Sequence, residues 1–158
     1  YAMEAHLVHY NSKYGDCAEA LKYKNGLVVI AFLIQVKKNA NNIPFSKISN
    51  EIPYIIDPDT ESSIDSDSLL WMSKQELDSN YFTYKGSLTT GTFDKVVTWI
   101  IYKKPVIVSK QQVAVFREMI DAENKKITNN YRSIQTPEKP PTVIFVGKKN
   151  KHQHASVL

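Results

Sequence analysis

Polar and apolar residues alternate through positions 1–11, and a period of two sends Glu4, His6 and Val8 to one face of a strand and Ala5, Leu7 and His9 to the other. Residues 11–15 are polar and close on Gly15, a turn, after which Asp16 is placed to cap a short helix over 16–22. Asn25-Gly26 marks a second, tight turn. The stretch 27–36 is nearly all apolar and rich in Val, Ile and Phe, which predicts a central strand buried on both faces and lying near the His6 strand.

Residues 39–42 read as a loop, and Pro44 suits the first turn of a helix over 45–52 in which Phe45, Ile48 and Ile52 share a face and which Pro53 stops. Asp57-Pro58-Asp59 and a run of Ser and Asp make 55–68 mostly surface loop. Ser73-Lys74-Gln75-Glu76 has the spacing of a capping box and predicts one helical turn ending near Leu77. The aromatic run 81–84 is β-prone and Gly86 breaks it. A second strong strand covers 95–102, with Val97, Trp99 and Ile101 on one face and Val96, Thr98 and Ile100 on the other. Lys103-Lys104-Pro105 should end it, leaving 106–108 as a separate short strand. Ser109-Lys110-Gln111-Gln112 is a second capping box, opening a helix in which Val113, Phe116 and Ile120 share a face. Residues 129–141 are extended, and 142–146 form a last β segment.

Composition adds limits to this outline. At 158 residues and 42% hydrophobic content the chain suffices for one domain with a real core. The net charge of +4 is spread along the chain, which describes a solvated surface and excludes a nucleic-acid footprint. The one dense cluster, Lys148, Lys149 and Lys151 with His152 and His154, predicts a basic, mobile tail over 148–158. No apolar run approaches the roughly 20 residues that span a bilayer. A single cysteine, Cys17, excludes an internal disulfide or a cysteine-rich zinc site. The chain starts at Tyr1, inside a strand and without a methionine, so it is expected to be incomplete at its N-terminus. Without a leader to read, secreted and cytoplasmic locations both stay open.

The chemistry rests on few residues. There is no Gly-x-Ser-x-Gly elbow, no local partner for Cys17 and no phosphate-cradling glycine loop. Glu4 stands two residues before His6 on the same face, the spacing of a metal ligand whose second ring nitrogen is held by a carboxylate. One histidine is not a metal site, and a satisfied strand histidine is the ordinary alternative.

A second stretch decides between them. Glu4-Ala5-His6-Leu7-Val8-His9-Tyr10-Asn11-Ser12-Lys13-Tyr14-Gly15, followed far downstream by Gly86-Ser87-Leu88-Thr89-Thr90 and Val96-Val97-Thr98-Trp99-Ile100, closely resembles the α-class carbonic anhydrases in motif, order and separation. The resemblance runs from Tyr1 to about Arg132 and implies that residues 1–147 are the C-terminal portion of that domain. The fold it implies is α+β, a large twisted, mainly antiparallel sheet with short peripheral helices.

The same resemblance implies roles. Three histidines of the family hold Zn2+, whose bound water then ionises near pH 7 and attacks carbon dioxide to give bicarbonate. His6 corresponds to the third ligand and Glu4 to the carboxylate that orients it, while His9 matches a histidine that is not a ligand. Thr89 matches the catalytic threonine that aims the attacking oxygen. Thr90 matches a residue at the pocket rim, and Val8, Val29, Leu88, Val97 and Trp99 match the apolar wall beside the metal. Alternation alone would assign those five apolar residues to core packing.

Departures from the family pattern are as informative. The first two zinc histidines, the carboxylate partner of Thr89 and the proton-shuttling histidine all lie upstream of His6 in the family, and none is in this chain. The 158 residues alone are therefore expected to be inactive, with strand edges left open. Gly91-Thr92 stands where Pro-Pro is usual, which predicts a trans, more flexible loop, and Lys85 where proline is common. Phe93 lies where secreted members carry a bridged cysteine. These changes keep a second function open, a non-catalytic carbonic-anhydrase-related module that binds a protein or polyanion through its surface.

Overall fold

The computed structural model describes residues 1–73, 80–136 and 139–147. Five strands form one sheet: β1 (Met3–Tyr10), β2 (Leu27–Val36), β3 (Tyr81–Gly86), β4 (Val97–Val108) and β5 (Ile144–Val146). Their order across the sheet is β1-β2-β4-β3-β5. The Ala2 N–H donates to Ile34 O and the Asn11 N–H to Gly26 O, so β1 and β2 run antiparallel. Leu27 donates to Val96 O and Lys37 to Val108 O, so β2 and β4 run parallel. β3 pairs antiparallel with β4, from Tyr81↔Tyr102 to Gly86↔Val97, and with β5, from Tyr81↔Val146 to Thr83↔Ile144. The expected mainly antiparallel α+β architecture is what forms, with one parallel pair at its centre.

Among the described residues the chain gathers into two compact units, one of 1–4, 34–73 and 105–130, the other of 5–33, 80–104, 131–136 and 139–147. The first is built on α2 (Ile43–Ser49), α3 (Leu70–Ser73) and α4 (Lys110–Ala114). Phe45 meets Trp71 edge-on at 5.4 Å and Phe116 at 6.0 Å. The second has its core in Leu27, Val29, Ala31, Val96, Val97 and Trp99, with Ala20 of α1 (Cys17–Ala20).

Several expectations hold to the residue. β2 has the predicted bounds, and Asp16 caps α1 by accepting from the Glu19 N–H at 2.8 Å. The burial of β2 is finer than a strand covered on both faces: odd positions Leu27, Val29 and Ala31 are buried first, then even positions Phe32 and Ile34, with half-buried residues between. Each half of the strand needs apolar residues at a different parity, and together they read as one unbroken apolar run.

Others are corrected. The helix expected over 45–52 is α2, which starts earlier, on its Asn42 cap, and ends at Ser49; Pro53 instead sits in a 3-10 turn, Ile52–Tyr54. Lys103-Lys104-Pro105 does not end β4, which runs unbroken to Val108. The Lys103 N–H donates to Asn80 O just beyond the start of β3, so the proline nitrogen two residues on faces the same side past that strand's end. A missing N–H costs no ladder bond there. The helix opened by Ser109 is also shorter than its apolar spacing predicts: α4 ends at Ala114, a 3-10 turn follows to Glu118, and Ile120 joins a β-bridge with Lys126. The capping box begun at Ser73 and the basic tail over 148–158 lie outside the described residues.

The Ser109 capping box extends into a larger network. Gln112, 6% exposed, accepts from the Ser109 N–H and the Asn42 N–H, and its amide donates to Asn42 O at 2.7 Å and Ser46 Oγ at 2.8 Å. It therefore ties the N-termini of α2 and α4 through one side chain. Gln112→Ala should cost about 2–3 kcal/mol, since it leaves several half-buried backbone groups without partners. Urea unfolding reads this directly, and a loss below about 0.5 kcal/mol, the range of ordinary surface changes, would show that water replaces the network.

Candidate functional site

β1 keeps the alternation of its sequence. Glu4, His6 and Val8 are exposed on one face, while Ala5 and Leu7 on the other are half-buried. The His6 ring meets the Trp99 indole edge to face, with centroids 4.9 Å apart and planes at 70°. β2 lies between their strands in the sheet, so two ring side chains lean together across two strand spacings, roughly 9–10 Å.

Trp99 is the hub of this region. It is buried, pairs with Tyr84 in the β3–β4 ladder and donates its indole N–H to Ser87 O at 3.1 Å. Gly86 lies so close that a Cβ there would come within 2.9 Å of the indole, which is why the strand end carries no side chain. Val29 and Val97, each 1% exposed, belong to the same buried cluster, and Leu88 packs against it. His6, Trp99, Val29, Val97 and Leu88 are thus brought together. Val8 is 56% exposed on β1, and Thr89 and Thr90 are exposed in the loop that follows Leu88.

That loop, 87–96, is closed across its neck. The Leu88 N–H donates to Asp94 O at 2.9 Å and the Phe93 N–H to Thr90 O at 3.3 Å, and the Thr92 hydroxyl bonds the Asp94 carboxylate. Among the described residues every peptide bond is trans, and the turn at Gly91 is made with φ +61°. Arg132 meets the same neck: it donates to Ser87 Oγ at 2.9 Å and Leu88 O at 3.3 Å, and its guanidinium lies 4.1 Å from the centre of the Phe93 ring. Arg132 carried no site signal in the sequence; Ser87 stands in the Gly86-Ser87-Leu88-Thr89-Thr90 motif and Phe93 where secreted members carry a cysteine, but neither was given a part in holding the loop. Arg132 lies in an irregular stretch more than forty residues downstream, and neither periodicity nor motif spacing links it to the threonines.

Among the described residues the candidate metal site holds one imidazole, His6, with Glu4 two positions away along the same strand. Among the described residues no three His, Cys, Asp or Glu side chains come together. His152 and His154 lie outside the described residues. One nitrogen does not meet the donor set of zinc, which takes three protein ligands at a catalytic site. Among the described residues no helix is long and apolar enough to cross a membrane.

Comparison with known proteins agrees with the motifs. The family model of the eukaryotic-type carbonic anhydrases matches residues 1–141. Carbonic anhydrase 6 of Mus musculus is 34% identical over 134 residues, covering 84% of this chain and 42% of the relative. Mitochondrial carbonic anhydrase 5A of Homo sapiens is 36% identical over 146 residues, covering 85% of this chain and 45% of the relative. The chain thus spans less than half the length of these curated relatives. On the extent of the match and the level of identity, the chain belongs to the eukaryotic-type carbonic anhydrase family.

Proposed function

We propose that these residues are the C-terminal portion of a domain that, when complete, reversibly hydrates carbon dioxide to bicarbonate with zinc, and that the 158 residues alone do not complete the metal site. The observation that supports this most is the contact of His6 with Trp99, whose indole N–H holds Ser87 at the root of the Thr89–Thr90 loop. One buried side chain thus connects the candidate ligand to the candidate positioning residue.

Zinc, when bound, supplies a Lewis acid and a nucleophile at neutral pH. His6 offers one of its donors, and Glu4 on the same face fixes the ring tautomer. In the complete protein the Thr89 hydroxyl would be the group that accepts a hydrogen bond from the attacking oxygen and orients it, and the Thr89 backbone N–H would be the donor for the developing bicarbonate oxygen. Thr90 shapes the rim. Val8, exposed, and Leu88, half-buried, offer carbon dioxide an apolar surface, while Val29, Val97 and Trp99 are buried in the core against which Leu88 packs.

Zinc content and stopped-flow hydration, measured on this chain and on the full-length gene product, test the reading. Stoichiometric zinc and hydration are expected in the full-length protein and absent from the isolated chain. Thr89→Ala should lower kcat/KM by about 100-fold, the scale of a lost alignment, and leave zinc content unchanged. A full-length protein without zinc or hydration would overturn the enzyme and leave the surface-binding module.

A further inference from the structure

Phe93 is the anomaly of the loop. Its φ of +57° is a left-handed conformation that a bulky residue adopts at a cost, so the surrounding structure must hold it there. Gly91-Thr92 gives this stretch no proline restraint. A loop with that freedom would not present Thr89 in one place unless something else fixed both of its ends.

We infer that Arg132 is that restraint, a clasp across the neck of the Thr89–Thr90 loop and hence a positioning residue for Thr89; the inference rests on the role proposed above for that threonine. One planar cation meets both sides. Its Nη1 donates to Ser87 Oγ and Leu88 O on the entering strand side, and its guanidinium carbon lies over the Phe93 ring on the leaving side. Ser87 is then doubly held, its carbonyl by Trp99 and its hydroxyl by Arg132. The arginine is half-buried, which limits competition from water for these contacts. Guanidinium chemistry suits the task, because only a flat cation can donate at its edge and stack on a ring at the same time. The clasp thus reaches the loop from a segment remote in the chain.

Two variants of the full-length protein test this, Arg132→Gln, which removes the cation, and Phe93→Leu, which keeps an apolar side chain but removes the ring face. Amide hydrogen exchange at Leu88 and Phe93, whose N–H groups close the loop, should accelerate about tenfold in each, the scale of one lost charge-assisted hydrogen bond or stacked cation. Hydration kcat/KM should fall by a similar factor in Arg132→Gln with zinc retained, and that loss should vanish when Thr89 is already alanine. A residue acting only on the fold would cost the same factor in both backgrounds. Unchanged exchange, or equal losses with and without Thr89, would overturn the clasp. Should the wild-type protein hydrate no carbon dioxide, the proposed function fails on its own, and the exchange measurement alone decides for or against Arg132.

Discussion

His6→Ala in the full-length gene product is expected to lose most of its zinc and to lower kcat/KM for hydration by more than roughly 100-fold, the upper end of what removing an outer-sphere partner of a metal costs. The reason is coordination number: a catalytic zinc held by three side chains cannot be held tightly by two. His6 also meets the Trp99 ring edge to face, a contact worth about 0.5–1.5 kcal/mol, so a modest loss of stability should accompany the loss of metal. The two effects separate cleanly. His9→Ala removes an imidazole three positions along the same strand, on the opposite parity and also exposed, and should leave zinc unchanged and stability within about 0.5 kcal/mol. Elemental analysis of both variants decides the matter. Zinc retained at full stoichiometry in His6→Ala would remove His6 from the ligand set and return it to the role of a ring packed on Trp99.

How legible the molecule was depended on the range of the interactions involved. The alternation of β1, the bounds of β2 and the capping box at Ser109 are set by residues within a few positions of one another, and each could be read from the chain. Pro105 was misread because its tolerance depends on where β3 stops, a fact of the sheet and not of the local sequence. Phe116 and Ile120 keep a helical spacing, yet Met119 turns to an extended backbone and Ile120 forms a bridge, so tertiary pairing overrides the periodicity. The candidate site divides in the same way. His6, Thr89 and Trp99 stand in motifs and could be named, but the edge-to-face contact of His6 with Trp99 spans an intervening strand and had no signature. Arg132 was invisible for the same reason. Burial also qualifies the wall: Val29 and Val97 are core residues as well, which is why alternation alone accounted for them.

Trp99→Ala should be the most destabilising of these substitutions, by about 3–5 kcal/mol for an aromatic side chain removed from a core. Its burial beside Val29 and Val97 contributes most of that loss, because the cavity would lie among β-branched side chains that repack poorly. A second part is polar, since Ser87 O loses the indole donor. Trp99→Phe isolates that part: the ring still fills much of the space and can still carry His6, but the donor is gone, and a loss of about 1–2 kcal/mol is expected. Urea unfolding followed by far-UV circular dichroism measures both, and a cost for Trp99→Ala below about 1 kcal/mol would contradict the packing described here. The pair also bears on function. Trp99→Phe frees the carbonyl at the root of the Thr89 loop while Arg132 still grips the Ser87 hydroxyl, so hydration should fall less than it does in Arg132→Gln. A larger fall would make the indole, and not the guanidinium, the principal anchor of the loop.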